Sequence, residues 1–267
     1  MIGCSGAPRL AIIALILFFS RSGWSSDQLA ANHLPNRSPE PRGRIALIID
    51  DLGNVLHAGE RTAALKGPVA CAVLPHTPFG TIIARQAHLA GKEVLLHLPL
   101  QPVGRVQLTQ EGIIDIDNTE DQLVRIFLAD VDSIPHVVGV NNHMGSLLTR
   151  HPGHMNWLMG AVKARGNLFF VDSYTTDSSV ALQLAREHDI PAMRRDVFLD
   201  NVPTRAAIDR EFARLRRRAK RNGTAIGIGH PYPETLNYLE HALPELMRDG
   251  IELVAVADLL QDSISGR

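Results

Sequence analysis

Apolar runs that stop abruptly on polar residues recur along this chain. Ile45-Ala-Leu-Ile-Ile49 ends on Asp50 and Asp51, Val69-Ala-Cys-Ala-Val-Leu74 on Pro75 and His76, and Val94-Leu-Leu on His97. Val137-Val-Gly-Val leads into Asn141-Asn142-His143, Phe169-Phe-Val into Asp172-Ser173-Tyr174, and Ile226-Gly-Ile-Gly into His230. Short uninterrupted apolar runs predict strands buried on both faces, as in parallel sheets covered by helices. The predicted strands are 44–50, 69–74, 93–98, 137–141, 168–172, 224–229 and 251–256. Helical periodicity predicts helices at 55–65, 79–90, 119–132, 154–165, 177–188, 204–221 and 233–249. This alternation predicts a single-domain α/β fold: a (β/α) barrel, incomplete or distorted, with about seven parallel strands. An open doubly wound sheet is the alternative. The segment 99–118, with Pro99, Pro102, Gly104 and Gly112, is a long loop, and such loops in compact domains are often functional.

Composition narrows the function classes. With 267 residues and 45% hydrophobic content the chain can bury a substantial core, and its net charge of -1 gives no overall drive towards nucleic acid or an anionic membrane. The basic run Arg214–Arg221 closes a predicted helix, where cations favour the dipole, so it reads as a solvated face. Gly227-Ile-Gly229 leads into His230-Pro231 rather than a helix start, so there is no phosphate-cradling loop. Near the N-terminus, Arg9 precedes ten apolar residues, Leu10–Phe19, followed by small and polar ones. That is the pattern of a secretory signal peptide, and it is too short to span a bilayer comfortably. The predicted organisation is a signal peptide at 1–25, a polar linker at 26–43 and one domain at 44–267, exported, with no stable membrane span beyond the signal. Removal of the signal takes Cys4 with it. Cys71 then remains alone in an apolar run as a packing thiol, with no disulfide framework and no thiolate metal site.

The strand ends carry the candidate chemistry. Adjacent carboxylates repel unless a cation or a shared proton compensates. Strand neighbours point to opposite faces, so Asp50 and Asp51 serve one pocket only if the strand ends there. The structural alternative makes Asp51 or Asn54 the N-cap of the next helix. Taken together, three His (His97, His143, His230) and three Asp (Asp50, Asp51, Asp172) sit at five strand ends on one predicted face. Two His with one carboxylate suit Zn²⁺ or a similar divalent ion, leaving positions for water and substrate. Singly, His97 also reads as a core imidazole, His143 as a turn residue, and His230 as a loop residue restrained by Pro231. His151-Pro-Gly-His154 is a competing metal candidate that reads as a surface turn without a carboxylate. His76 is a weaker candidate, for substrate contact.

At these residues the chain resembles the polysaccharide deacetylases of carbohydrate esterase family 4 (NodB-like deacetylases), and more closely their divergent bacterial-envelope branch. Asp50-Asp51 is similar to the opening strand motif, whose first Asp is the catalytic base and second a metal ligand. Gly91-Lys-Glu93-Val-Leu-Leu-His97 has the lead and spacing of the second motif, which opens with a metal-binding His. Ile228-Gly-His230 resembles the hydrophobic-x-His motif of the catalytic acid. Asn141–Ser146 and Phe170–Tyr174 look like signatures of the divergent branch. The resemblance covers about residues 44–258. Three departures stand out: Gln101 replaces the usual second His, the Arg-x-Pro-Tyr motif is absent, and the Asp-x-x-Asp-Trp motif is reduced to Asp172. His143 is therefore inferred as the third ligand.

The resemblance implies a periplasmic metal-dependent hydrolase that removes acetyl groups from an envelope glycan or peptidoglycan-like substrate. Asp51, His97 and His143 would hold the metal, with zinc as the expected ion. Asp50 would act as base and His230 as acid, with Asp172 orienting His230 or a ligand His, and Ser173, Tyr174 and His76 as weaker pocket candidates. The rival from another class is a catalytically weak or inactive glycan-binding or regulatory envelope protein that keeps the fold. A phosphate-ester hydrolase ranks last, because Lys92 and Arg44 lie at strand starts, the wrong end for a phosphate pocket.

Overall fold

Nearly every predicted strand forms, and two further strands appear where the sequence pattern gave none. The computed structural model describes residues 43–104 and 111–265. The predicted signal peptide and all of the linker except Gly43 lie outside the described residues. Strands β1 (Gly43–Leu52), β2 (Ala70–Val73), β3 (Val94–Leu100), β4 (Val137–Met144) and β5 (Phe169–Asp172) alternate with helices α1 (Leu56–Ala64), α2 (Gly80–Leu89), α3 (Glu120–Ser133) and α4 (Pro152–Arg165). After α5 (Ala181–Glu187) come the two short unpredicted strands, β6 (Ala192–Arg194) and β7 (Val197–Phe198). Then follow α6 (Arg205–Asn222), β8 (Thr224–Gly229), α7 (Pro233–Ala242), β9 (Ile251–Leu253) and α8 (Val256–Ser265). The predicted strand 251–256 thus stops at Leu253, and its apolar continuation is the start of α8.

All strand pairings are parallel, along the path β6-β5-β4-β3-β2-β1-β8-β7, with β9 paired to the start of β1. The two ends of this path are adjacent in sequence. Only Arg195 and Asp196 separate β6 from β7, a span of about 11 Å at most. The sheet therefore curls until its edges face each other, the expected incomplete barrel, with eight strands along the path where about seven were predicted. These two residues also stitch the seam. Arg195 donates from its backbone N to Asp172 O, from Nε to Ser173 O and from Nη2 to Tyr174 O. Asp196 N donates to Ile226 O, and Asp196 Oδ2 accepts from Ile226 N.

Period-2 alternation sorts side chains into two layers. Ile45, Leu47 and Ile49 of β1, Leu96 and Leu98 of β3, and Phe170 of β5 join the large core beneath the helices, with Phe127 and Phe212. Ala46, Ile48, Leu95, Phe169, Val171, Ile226 and Ile228 fill the barrel interior, where Val256, Leu259 and Leu260 of α8 meet them. Glu93 fastens that helix: its carboxylate accepts from the backbone N–H groups of Val256 and Ala257, satisfying donors that a helix start leaves open. The Glu of the Gly91-Lys-Glu93 lead is thus a structural tie at the N-terminal mouth. By the same alternation Asp50, His97, Asn141 and His230 continue the interior rows to the C-terminal mouth, where the candidate residues collect.

Candidate metal centre

The two β1 carboxylates reach one pocket without the strand ending between them. Asp51 adopts φ 56, a left-handed conformation that Asp tolerates better than most residues, and the β1–β2 register shifts between Ile49 and Leu52. This break cancels the alternation that would send Asp51 away from Asp50. Neither Asp51 nor Asn54 caps α1, whose N-cap position is Val55 without a side-chain cap bond.

Three ligand atoms then form a near-equilateral triangle. Asp51 Oδ1 lies 2.9 Å from His143 Nδ1 and 3.1 Å from His97 Nε2, and those two nitrogens are 3.2 Å apart. The Asp51 oxygen is buried and makes no aligned hydrogen bond. Neighbouring β3 and β4 set the imidazoles, with His97 in register with Asn141 and Pro99 with His143. Asn141 and His143, two apart, share a face. Asn142 turns to the other side, donating from Nδ2 to Met144 O and accepting from Ser173 N at Oδ1. Asn141 Oδ1 accepts from His97 Nδ1 at 2.9 Å, which selects the neutral tautomer whose Nε2 lone pair is directed into the triangle. A tetrahedral zinc with N and O ligands at about 2.0–2.1 Å spaces them roughly 3.3 Å apart, so this donor set fits a divalent ion. Among the described residues it is the group of His, Cys, Asp and Glu with metal-holding spacing. Electrostatics agree. Burial opposes ionisation of His97, but the Asp50 and Asp51 carboxylates outweigh it and raise the pKa to about 9. Burial likewise opposes the Asp51 anion, and the His143 and His97 imidazoles overcome it, holding Asp51 well below the usual carboxylate range.

Asp50 and His230 flank the triangle. Asp50 Oδ2 is 3.6 Å from His97 Nε2, and Asp50 Oδ1 accepts from Asn141 Nδ2 at 2.8 Å. Burial raises its pKa, with His97 and Asn141 pulling the other way. Arg195 is half-buried nearby; desolvation lowers its pKa and the Asp50 carboxylate pulls it back up. His230 Nε2 lies 3.7 Å from Asp51 Oδ2. Its Nδ1 pairs with Asp200 Oδ1 at 3.0 Å, and Asp200 Oδ2 accepts from His230 N and Thr235 Oγ1. Burial lowers the His230 pKa, but Asp200 outweighs it and the net shift is upward.

The residues expected at the site divide accordingly. Asp50, Asp51, His97, His143 and His230 come together. Asp172 does not join them as an orienter: it shares parity with Phe170, faces the helix layer, and accepts from Ser179 Oγ and Tyr174 N. The orienting contacts it was expected to make are made by Asp200 to His230 and Asn141 to His97. Ser173 Oγ reaches Asn141 Nδ2 at 3.4 Å, whereas the Tyr174 ring stacks under Arg194 and its hydroxyl reaches Asp177 O. His151 and His154 face each other at 3.0 Å across the first turn of α4, with His154 buried, and are not a surface turn. Asp200 was missed although Val197-Phe-Leu-Asp200 repeats the apolar-run-then-Asp signature of β1 and β5.

Two cavities meet at Asp51. One, about 420 Å³, is mainly apolar and lined by Val55, Tyr232, Pro233 and Leu236 beside His230. The other, about 400 Å³, is polar and holds Asn54, His76, Thr77 and Glu111 beside His143.

Residues 47–260 match the family described as divergent polysaccharide deacetylase. The uncharacterized protein YibQ of Escherichia coli K12 is 36% identical over 225 residues, 84% of this chain and 70% of its own. A crystal structure of an uncharacterized protein from Agrobacterium tumefaciens C58 shares the fold at 24% identity with a TM-score of 0.78, over 81% of this chain and 89% of that one. A mutant of BA3943, described as a CE4 family pseudoenzyme with restored enzymatic activity, from Bacillus anthracis, shares the fold more distantly, with 13% identity, a TM-score of 0.50, and 84% and 68% coverage.

Proposed function

This chain belongs to the divergent polysaccharide deacetylase family, and from that premise we propose that it is a metal-dependent hydrolase removing acetyl groups from an envelope glycan. The observation that carries the reading is the Asp51–His97–His143 triangle with a buried carboxylate on one side and a carboxylate-held imidazole on the other. A zinc or similar ion held by Asp51, His97 and His143 would supply Lewis acidity to the acyl carbonyl and acidify a nearby water. The residues of the chain supply the proton movements. Asp50, steadied by Asn141, takes the proton of the attacking water as the new carbon–oxygen bond forms. His230, protonated and held by Asp200, gives its proton to the departing amine or alcohol as the acyl bond breaks, releasing acetate. Asp50 then returns its proton and His230 is recharged. The Arg9 to Phe19 segment supports export, and with it a substrate in the bacterial envelope.

The experiment is acetate release from N-acetylglucosamine oligomers, O-acetylated xylan and purified peptidoglycan, with zinc and with chelator. Metal-dependent acetate from at least one is expected; none from any overturns the reading. A pH profile tests the acid. His230 owes its raised pKa to Asp200, and an acid is lost as pH rises through its pKa. Asp200→Asn therefore moves the alkaline limb of kcat/KM to lower pH. Asp172→Asn, on the helix side of β5, leaves that limb in place. An unmoved limb in Asp200→Asn removes His230 from the acid role.

A further inference from the structure

On the side of β1 opposite His230, the proposed proton transfers leave a second histidine–carboxylate pair unused. His76 follows β2 and Asp130 belongs to α3; His76 Nε2 and Asp130 Oδ1 are 2.8 Å apart. The Asp130 side chain is 0% exposed, and its second oxygen, Oδ2, is buried without a partner. A carboxylate left this dry is costly unless something requires it. Burial, with the Glu111 charge added, pushes its pKa up to about 8. The fold makes room for it at Gly112, where a Cβ would stand 2.3 Å from Asp130 Oδ1. Gly112 of the long loop thus packs directly against Asp130.

His76 is held as deliberately. It takes φ 55, and its loop is tied to the β1 exit by Leu74 N donating to Leu52 O and Phe79 N donating to Gly53 O. Thr77 Oγ1 donates to Leu74 O within the loop. These ties set His76 in the polar cavity that also exposes Asp51 and His143. With Nε2 occupied by Asp130, Nδ1 is without a partner among the described residues.

Resting on the hydrolase reading above, we propose that His76, oriented by Asp130, is a specificity-determining contact that hydrogen-bonds a hydroxyl of the sugar bearing the acyl group. Three features point to a hydroxyl. Among the described residues the cavity offers His76, Asn54, Thr77 and Glu111 and no Lys or Arg, which suits neutral polar groups rather than phosphate or carboxylate. A hydroxyl both donates and accepts, so it matches Nδ1 wherever the proton shared by His76 and Asp130 resides. The apolar cavity beyond Asp51, with Tyr232, suits the face of a sugar ring, so the two cavities divide the polar edges and apolar faces of a glycan between them.

The test compares two substrates on zinc-loaded protein: N-acetylglucosamine oligomers, and para-nitrophenyl acetate, which has the acetyl group and no sugar. For His76→Leu, the ratio of kcat/KM on glycan to that on ester falls about tenfold or more, through KM, as expected for one lost hydrogen bond in a confined site. Asp130→Asn lowers the same ratio less, and His76→Gln, which can still donate and accept, recovers part of it. An unchanged ratio in His76→Leu overturns the proposal, as does an equal fall on both substrates, which marks a structural role. An effect in His76→Leu with none in Asp130→Asn removes Asp130 as orienter. Wild-type protein that cleaves the ester but not the glycan overturns the sugar contact while leaving the hydrolase reading intact. Wild-type protein inactive on both, and on O-acetylated xylan and peptidoglycan as well, ends that reading and this one with it.

Discussion

Wild-type protein purified without chelator carries about one equivalent of zinc or a similar divalent ion, and His97→Ala and His143→Ala each lose it. The argument is geometric. The three ligand atoms, two imidazole nitrogens and a carboxylate oxygen, stand about 3 Å apart and converge on one point, and the hydrogen bond between His143 Nδ1 and His97 Nε2 leaves the buried Asp51 oxygen without an aligned partner. Removing one of three ligands leaves a bidentate site. Because even outer partners of metal ligands are worth 10–100-fold in affinity, a direct ligand is worth more than about 100-fold. Mass spectrometry of the bound metal reads the result, with thermal melts to show that the variants fold. The two variants are not equivalent. His97 also bonds Asn141 and faces Asp50, so its loss loosens the base as well as the metal. His143 contributes to the triangle alone, which makes it the cleaner probe. Full metal retention in His143→Ala excludes it as a ligand and turns attention to His230, whose Nε2 is 3.7 Å from the other Asp51 oxygen.

His143 also shows how far the sequence could be read. Five of the six His and Asp candidates at strand ends do converge, because an apolar run ending on a polar residue is a local signal of a parallel strand meeting its C-terminal mouth. What the pattern could not supply was phase. In β5, Phe169, Phe170 and Val171 are all buried, so alternation left no mark of which side faced the barrel interior. Asp172 fell on the helix side by parity alone. Strand length was the second gap. β7 has two residues, too few for a periodicity to register, and with it went Asp200. The turn at Asp51 was the third. The sequence reading required the strand to end at the carboxylate pair, and the chain instead continues through a left-handed residue, a backbone choice that composition does not encode. Asn141 was visible in the sequence yet unassigned. Its role needs the cross-strand register with His97, which is a tertiary fact.

Asp50→Asn keeps the metal and loses the reaction: acetate release falls by about 10²–10⁴-fold, the usual contribution of a positioned general base. The substitution is nearly isosteric, and the surroundings dictate how the amide must sit. Asn141 Nδ2 donates to Asp50 Oδ1 at 2.8 Å, and Asn141 is itself fixed because its oxygen takes the His97 Nδ1 proton. The amide of the variant therefore turns its oxygen to Asn141 and its NH₂ towards the reacting water. There it can donate but has no basic lone pair to accept a proton. The loss accordingly appears in kcat as well as kcat/KM, while bound metal stays near one equivalent, because Asp51, His97 and His143 are untouched. That separation of metal content from turnover distinguishes an enzyme from a protein that merely keeps the deacetylase fold. In a binding or regulatory protein the buried Asp50 serves only its hydrogen bond to Asn141, and the amide can make that bond as well. Acetate release in Asp50→Asn equal to wild type would exclude Asp50 as the base. If acetate is absent in both while glycan binding persists in both, the site is a metal-braced binding site in which Asp50 plays no chemical part.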